Sequence, residues 1–371
     1  MSLSINQFGA NSVNYILSQS IKQNEESQAS ISWQLGSGTI SSTIEGLGDN
    51  RQFALHLSMQ MAENKAYREN VSSILNRLNL SSGGLKQLSQ VAHEMYKTAT
   101  EMLAVENQGD SDLSGSSSTA KSDLDSIKQA LNTVDNTGGY VFSGGDARQI
   151  PIPTKGPLSD TPLAHKINDI VSDMLAGHIS ASDAFKQATA AASDNNQPNG
   201  TPPGYSIFDP TLSVSPAEAY QSRKNVTIGD RGETWTAGAV ATEGQSTPSD
   251  TSTGSPIRDL IRNTMLISAL GQHKMTDPGV LDLVKQIQQS TSQNSDELIN
   301  MESATGSDQT ALKNQQGALK SINTMLASYM SENISSNPAA LALKSDNLRA
   351  QLQVSFTLIS KMKEFSLANY I

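Results

Sequence analysis

The stretch from residue 71 to residue 102 decides the fold: VSSILNRLNLSSGGLKQLSQVAHEMYKTATEM. Its apolar residues recur every seven positions in two rows, interrupted only by Ser81: Val71, Leu78, Leu85, Ala92 and Ala99 in the first row, and Ile74, Leu88, Met95 and Met102 in the second. This repeat is typical of a helix whose seam packs along a partner in a left-handed coil. Gly83 and Gly84 fall inside the helix, and because glycine costs about 1 kcal/mol in a helix interior, we expect a bend or a break there.

The C-terminal third carries a pattern that matches this seam. Its apolar residues form a heptad row and then a second run towards the C-terminus: Leu312, Leu319 and Leu326 with Ile322 and Tyr329, then Leu341, Leu348, Leu352, Ile359 and Met362. We therefore expect residues 71–103 to pack against residues 312–329. Residues 1–35 predict an amphipathic helix. If the two terminal helices paired only with each other, four aromatic residues would stay partly unburied, and neighbouring subunits could cover them: Phe8, Tyr15, Phe356 and Phe365.

The middle of the chain differs in composition, since eleven of the thirteen prolines lie in residues 151–256. This shift predicts a domain of its own between the two helical parts. The sequence indicates a mainly α fold, with long antiparallel coiled-coil helices from both chain ends, a small β-hairpin and an inserted α+β outer domain. The expected division is a terminal coiled-coil region, a helical bundle with the hairpin, and a surface-exposed variable domain: residues 1–49 with 335–371, residues 50–150 with 256–334, and residues 151–255.

Local signals set the expected starts of several helices. Proline or a capping side chain marks four of them: Thr161-Pro162, Ser215 with Glu218, Ser255-Pro256 and Asn337-Pro338. Ser122 with Asp125 predicts a fifth start by the same capping pattern. The turn residues 135–139, followed by Tyr140-Val141-Phe142 and a second turn at 143–146, predict the small hairpin.

Composition excludes several classes of function. The net charge of −10 argues against nucleic acid as a partner, since phosphate binding needs clustered Lys and Arg. The chain has no cysteine, which rules out disulfides and thiolate metal sites. Residues 1–24 lack a continuous apolar run, so we expect neither a signal peptide nor a membrane anchor there.

No catalytic or cofactor pattern is complete. Ser118 and Lys121 fit S-x-x-K, and Ser193-Asp194-Asn195 fits the second motif of serine acyl-enzymes, but K-T-G is absent. The histidines lack metal-ligand spacing: His56, His93, His165, His178 and His273. Asp110 and Asp112 lack the remaining ligands of a calcium loop. We expect no catalytic residue, no metal and no cofactor.

Four short motifs, in order along the chain, resemble the flagellin and hook-associated junction protein family of bacterial flagella. They are the opening Leu3-Ser4-Ile5-Asn6, the joint LGSGTI at 35–40, the hairpin NTGGYVFSGG at 136–145 and the ending FSLANYI at 365–371. The joint departs from filament flagellins, because Gln34 and Thr39 stand where that family usually has arginine. The resemblance covers about residues 1–150 and 256–371.

This resemblance implies a non-enzymatic structural subunit of the flagellum, flagellin-type, that polymerises into the filament for swimming motility. The implied partners are copies of itself, other axial proteins such as hook-associated proteins and the filament cap, the flagellar export apparatus and an export chaperone. The implied location is extracellular, on the flagellum, reached by secretion. Two alternatives stay open: a hook–filament junction protein of the same family, and a secreted adhesion or binding module carried by the middle domain.

The same resemblance singles out two sets of residues. Subunit-assembly contacts are expected at apolar positions of the terminal helices: Ile5, Phe8, Val13, Ile16, Leu348, Leu352, Phe356, Ile359, Met362 and Leu367. The family's hairpin motif maps onto Asn136, Gly139, Tyr140, Phe142, Ser143 and Gly144.

Overall fold

The computed structural model describes residues 4–41, 43, 45–105, 113–230 and 232–368. The protein is mainly helical, with 68% of its residues in helices and a small two-stranded antiparallel sheet. It divides into two compact units, which we call the terminal unit, residues 1–65 and 320–371, and the central unit, residues 66–319.

Long helices make up the terminal unit. Helix α1 spans Ser4–Ser37, a 3-10 helix spans Glu45–Asn50, and α9 spans Pro338–Ala368. Helix α2, Arg51–Val105, and helix α8, Val280–Ile334, contribute residues to both units. The predicted start at Asn337-Pro338 is confirmed, because the Asn337 side chain accepts hydrogen bonds from the backbone N–H groups of Ala339 and Ala340 at 3.1 and 3.2 Å.

The seam of residues 71–102 is buried as its periodicity predicts. Each residue of both rows is at most 4% exposed, and so is Ser81. No break occurs at Gly83 and Gly84, since α2 runs without interruption through both. A Cβ atom on Gly84 would lie 2.6 Å from Cε2 of Phe142, so this glycine lets the Phe142 ring pack against the helix. That contact outweighs the intrinsic helix cost of glycine.

Shorter helices surround the seam in the central unit. They are α3 Ser114–Leu131, a 3-10 helix Leu158–Asp160, α4 Pro162–Leu175, α5 Ala181–Ala192, α6 Pro216–Gln221 and α7 Pro256–Ala269. Helix α7 packs against α3, α4 and α5, and α4 also packs against α5. The caps predicted at Thr161 and Ser215 are confirmed. The start predicted at Ser122 is wrong, because α3 begins eight residues earlier and both Ser122 and Asp125 lie inside it.

The inserted outer domain expected for residues 151–255 is not confirmed. Its buried residues belong to one hydrophobic cluster with the neighbouring parts of the chain: Ile152, Phe185 and Val240 from the middle, Leu85 and Leu88 from α2, and Leu260 and Leu283 from α7 and α8. A high proline content reflects loops and does not show where a segment packs. Helices α4 and α5 each have an apolar face that must be buried against another element. These faces find their partner in the core of the central unit.

The sheet of the structure lies outside the predicted hairpin. Strand β1, Lys224–Thr227, pairs with β2, Thr234–Ala237, so that Val226 lies opposite Trp235. Both side chains pack against a second hydrophobic cluster that includes Val71, Leu78, Leu312 and Leu319. This cluster confirms the predicted packing of α2 against residues 312–319. The expected left-handed supercoil is not confirmed.

Helix α7 carries charged side chains into the core of the central unit. Arg262 has no exposed surface and forms an ion pair with Asp259 at 3.0 Å, while its guanidinium lies 4.4 Å from the centre of the Phe185 ring. Arg258 donates hydrogen bonds to Asn195 Oδ1 and to the carbonyl of Val214. Burial lowers the pKa of Arg258 to about 10. These partners offset part of the cost of burying the two charges.

Candidate assembly surface

The helices α1 and α9 pack against each other in the terminal unit. The Gln28 side chain donates to Ser345 Oγ at 2.9 Å, and the Ser336 hydroxyl donates to the carbonyl of Gln34 at 3.1 Å. An isolated antiparallel bridge between Thr39 and Ser335 continues this pairing beyond the end of α1. The joint at residues 35–40 is therefore held against the segment that precedes α9.

The terminal unit leaves a large part of its described apolar surface uncovered. Thirteen large apolar side chains are exposed: Tyr15, Ile16, Trp33, Leu35, Phe53, Leu55, Met59, Ile322, Met325, Tyr329, Leu343, Val354 and Phe356. Among its described residues, the buried apolar side chains are Ile31, Ala54, Leu57 and Leu326. Exposed apolar surface of this extent is typical of surfaces that bind another protein.

The sequence-predicted assembly residues are placed in α1 and α9. Ile16 is 64% exposed and Phe356 is 54% exposed, whereas Leu348 and Leu352 are half-buried. The side chains of six others lie outside the described part of the structure: Ile5, Phe8, Val13, Ile359, Met362 and Leu367. The assignment of all ten as subunit contacts remains a prediction.

The predicted hairpin motif forms a tight double turn in the central unit. An isolated bridge joins Val134 to Tyr140 in place of extended strands. Phe142 and Ser143 are buried, and Asn136 is exposed. Gly144 has a φ of 70°, and a Cβ there would lie 3.0 Å from the carbonyl oxygen of Ser222. Glycine is therefore required at this position by both its backbone angle and its surroundings.

The guanidinium of Arg77, in α2, holds this double turn by hydrogen bonds. It donates to the carbonyl oxygens of Val141 and Gly144 at 2.7 and 3.3 Å and lies 4.0 Å from Asp135. Burial lowers the pKa of Arg77, and the Asp135 charge opposes that shift. Partial burial would raise the pKa of Asp135, but hydrogen bonds from Thr137 and Gly139 outweigh it and hold the pKa below its ordinary value. The turn is thus tied to the seam helix by a buried cation that donates to two of its carbonyl oxygens.

The residues considered for catalysis do not form a catalytic group in the described structure. Ser118 and Lys121 are exposed on α3 and line an open cavity of about 560 Å³ with His273. No hydrogen bond joins the side chains of Ser118 and Lys121 in the part of the chain that the structure describes. The described residues also contain no group of three His, Asp or Glu side chains that could hold a metal ion. Asp110 and Asp112 lie outside the described residues.

No described helix is both long enough and apolar enough to cross a membrane. The aromatic residues of the middle segment, considered for a binding module, are divided between two environments. Phe208 is buried and Tyr205 packs on the main cluster, whereas Tyr220 is 36% exposed and Trp235 is partly exposed.

Comparison with solved structures finds chains of similar fold. Among them is a protein from Vibrio parahaemolyticus that carries the provisional description of a flagellar hook-associated protein. The two share 13% sequence identity with a TM-score of 0.50, and the match covers 77% of this chain and 97% of that one. No protein-family model and no curated protein matches the chain. The likeness shows a common fold, which agrees with the mainly helical architecture.

Sequence reasoning missed several residues of the candidate surface. Trp33, Met59, Leu343 and Val354 are all exposed, and Leu343 and Val354 are the most exposed of the four, at 67% and 66%. Leu343 follows the heptad residue Leu341 by two positions, on a different side of the helix. These residues could have been found by looking for apolar side chains on helix faces other than the heptad seam. Such side chains are not covered by the partner of the seam and need another surface to bury them.

Proposed function

We propose that this protein is a structural subunit of the bacterial flagellum that joins its neighbours through the terminal unit. The observation that carries the proposal is the set of exposed apolar side chains on α1, α9 and the adjoining parts of α2 and α8. The four family motifs and the fold likeness to a protein described as hook-associated support the flagellum as the setting. The chain has no enzymatic role in this proposal.

Assembly would be driven by burial of these side chains between copies. Covering a leucine or phenylalanine stabilises a complex by about 1.5–3 kcal/mol, so a few such contacts offset the entropy lost on association. In this account the inside of a tube is formed by residues 1–49 and 335–371, its wall by residues 50–150 and 256–334, and its exposed surface by residues 151–255.

Within the family, the fold likeness favours the hook-associated alternative over filament flagellin, which reverses the order drawn from the sequence. A hook-associated subunit would form a short zone between hook and filament, in contact with other axial proteins. It would reach that place through the flagellar export apparatus, with an export chaperone. The protein would then be extracellular, on the flagellum.

Electron microscopy and sedimentation velocity of the purified protein after salt-induced assembly test this proposal. We expect oligomers or short tubes from the full chain, and none from a variant that lacks residues 338–371. Long filaments would favour filament flagellin within the same proposal. A full chain that sediments as a monomer under every assembly condition, or a truncated chain that assembles equally well, would contradict it.

A further inference from the structure

A groove in the central unit lies beside the β1–β2 hairpin, apart from the candidate assembly surface. Two cavities of about 410 Å³ each share three lining residues, Tyr220, Arg223 and Asp308. The cavity on the hairpin side also includes Trp235 and Asn225. Volumes of this size are typical of sites that hold small organic ligands.

Aromatic rings form the apolar part of the groove. Trp235 packs against the second hydrophobic cluster while part of it remains exposed in the cavity. Tyr220 is 36% exposed, and the Arg223 guanidinium lies 4.1 Å from the centre of its ring. Both rings are held by these contacts, so a ligand would meet aromatic surface whose position is already fixed.

The polar groups of the groove differ in whether they have hydrogen-bond partners. Arg223 is bound on two nitrogens by Glu243, with Nε donating to Oε2 at 2.7 Å and an Nη donating to Oε1 at 2.5 Å. Within the described residues, the Asp308 carboxylate accepts no hydrogen bond, and the amide N–H₂ of Asn225 and the hydroxyl of Thr234 have no partner. Partial burial raises the pKa of Asp308, and Arg223 opposes that shift. A half-buried carboxylate without a donor is a strong acceptor for a ligand hydroxyl.

The charges and polar groups of the hairpin-side cavity favour a neutral ligand. Its charged lining residues are Arg223, which Glu243 already neutralises, and Asp308. Asp308 would repel an anion, and a simple cation offers hydrogen-bond donors only, so it would leave the Asn225 amide N–H₂ without an acceptor. A wholly apolar ligand would remove water from Asp308 without donating a hydrogen bond to it, which is unfavourable. What remains is a neutral molecule with an apolar face for the rings and several hydroxyl groups for Asp308, Asn225 and Thr234.

We propose that this groove binds a neutral saccharide, with the apolar face of a sugar ring against Trp235 and sugar hydroxyls on Asp308 and Asn225. Such a molecule both donates and accepts hydrogen bonds, as the mixed set of groups requires. The site would give the central unit a surface-binding role that is independent of assembly through the terminal unit. Its presence or absence therefore leaves the proposed structural function untouched.

Binding can be measured on the full-length monomer with four probes: maltose, lactose, mannobiose and chitobiose. The chain has two tryptophans, Trp33 and Trp235, so a Trp33→Phe variant makes Trp235 the sole indole reporter. We expect at least one disaccharide to change its fluorescence saturably and to give saturation transfer in NMR at about 10 mM sugar or less. In the same background, Asp308→Asn should weaken binding about tenfold or more, because it removes a charged acceptor without changing the side-chain shape.

The matched control is Asp282→Asn, an exposed aspartate of the same helix α8 that does not line the groove. It should bind as tightly as the parent. Far-UV circular dichroism checks that each variant remains folded. No binding of any of the four sugars, or equal affinity in the Asp308→Asn and Asp282→Asn variants, would overturn the proposal.

Discussion

The central and terminal units use their apolar residues in opposite ways. In α8, Leu319 of the central unit is 4% exposed, whereas Ile322 and Met325 of the terminal unit, within the next two turns, are 41% and 48% exposed. The central unit covers its seam with the shorter helices α3 to α7, and the terminal unit has no such layer in the described residues. The heptad row itself stays buried across this boundary, since Leu326 of the terminal unit is 7% exposed, but apolar residues beside the row are left uncovered in the terminal unit. Uncovered apolar surface of this kind is typical of surfaces that bind another protein.

The largest effect on stability is expected from the buried arginine of the central unit. Arg262→Met removes the partner of Asp259, whose side chain is only 6% exposed, and leaves a buried charge without its ion pair. We expect a loss of about 3–5 kcal/mol in the free energy of unfolding. The control is Arg148→Met, because the side chain of Arg148 is 88% exposed and its loss should cost less than about 1 kcal/mol. Urea unfolding followed by circular dichroism gives both values. Equal effects would mean that the central core does not depend on this pair.

Replacing each of the two neighbouring glycines of α2 by alanine should change the stability of the protein in opposite directions. Gly84→Ala should destabilise the protein by about 1–3 kcal/mol, because its methyl group would overlap the buried Phe142 ring. Gly83→Ala should stabilise it by about 1 kcal/mol, since a Cβ there meets no atom within 4 Å. Thermal unfolding of the two variants measures the difference. If both stabilised the helix alike, Phe142 would not be packed against Gly84.

A carboxylate between α2 and α3 should make the central unit sensitive to pH. Burial, together with the nearby charge of Glu94, raises the pKa of Asp123 to about 6 from an ordinary value of 3.8. The folded state binds this proton more tightly than the unfolded state. Its stabilising contribution is therefore complete below about pH 4 and is lost as the pH rises through about 6.

Asp123→Asn should consequently stabilise the protein at pH 7 by about 1 kcal/mol, a figure reduced for solvent screening of a half-exposed group. The exposed Asp125→Asn, two residues along the same helix, serves as the control. Urea unfolding at a series of pH values distinguishes them. A stability profile between pH 4 and pH 7 that is unchanged by Asp123→Asn would show that this carboxylate is solvated in the folded state.

Exposed positions of the terminal unit should give the smallest effects on monomer stability. Leu343→Ser and Val354→Ser should change the free energy of unfolding by about 0.5 kcal/mol or less, because both side chains are about two-thirds exposed. Assembly should nonetheless weaken measurably in each. Leu57→Ser, at 3% exposure in the same unit, should instead destabilise the monomer. Unfolding curves and sedimentation of each variant separate the two effects, and normal assembly by the Leu343→Ser variant would remove it from the contact surface.

The sequence predicted the seam and the terminal helices because periodicity is local information. Val71 to Met102 and the start at Pro338 could be read without knowing any partner. The packing at Gly84 could not be predicted because it depends on Phe142, which lies 58 positions further along the chain. The strands β1 and β2 were missed, since each has only four residues and three of the four in β1 are exposed. Proline content suggested a separate domain at 151–255, but the placement of α4 and α5 depends on long-range packing against α7.

For the candidate assembly surface, the sequence predicted which helices carry it but not most of its residues. The terminal helices were predicted to be the assembling parts, and Ile16 and Phe356 are exposed as that prediction requires. Exposed residues such as Met59 and Leu343 fall outside the heptad rows, so periodicity could not select them. Only the packing of the terminal unit shows which apolar side chains lack an internal partner.

Hydrogen exchange, measured by mass spectrometry on dilute monomer and on assembled protein, tests the central claim most directly. The account predicts fast exchange in residues 15–35 and 338–357 of the monomer and strong protection of both after assembly. Residues 71–102 should be protected in both states, because their seam is already buried. Terminal segments that are strongly protected in the monomer and unchanged on assembly would contradict the claim that the terminal unit carries the contacts.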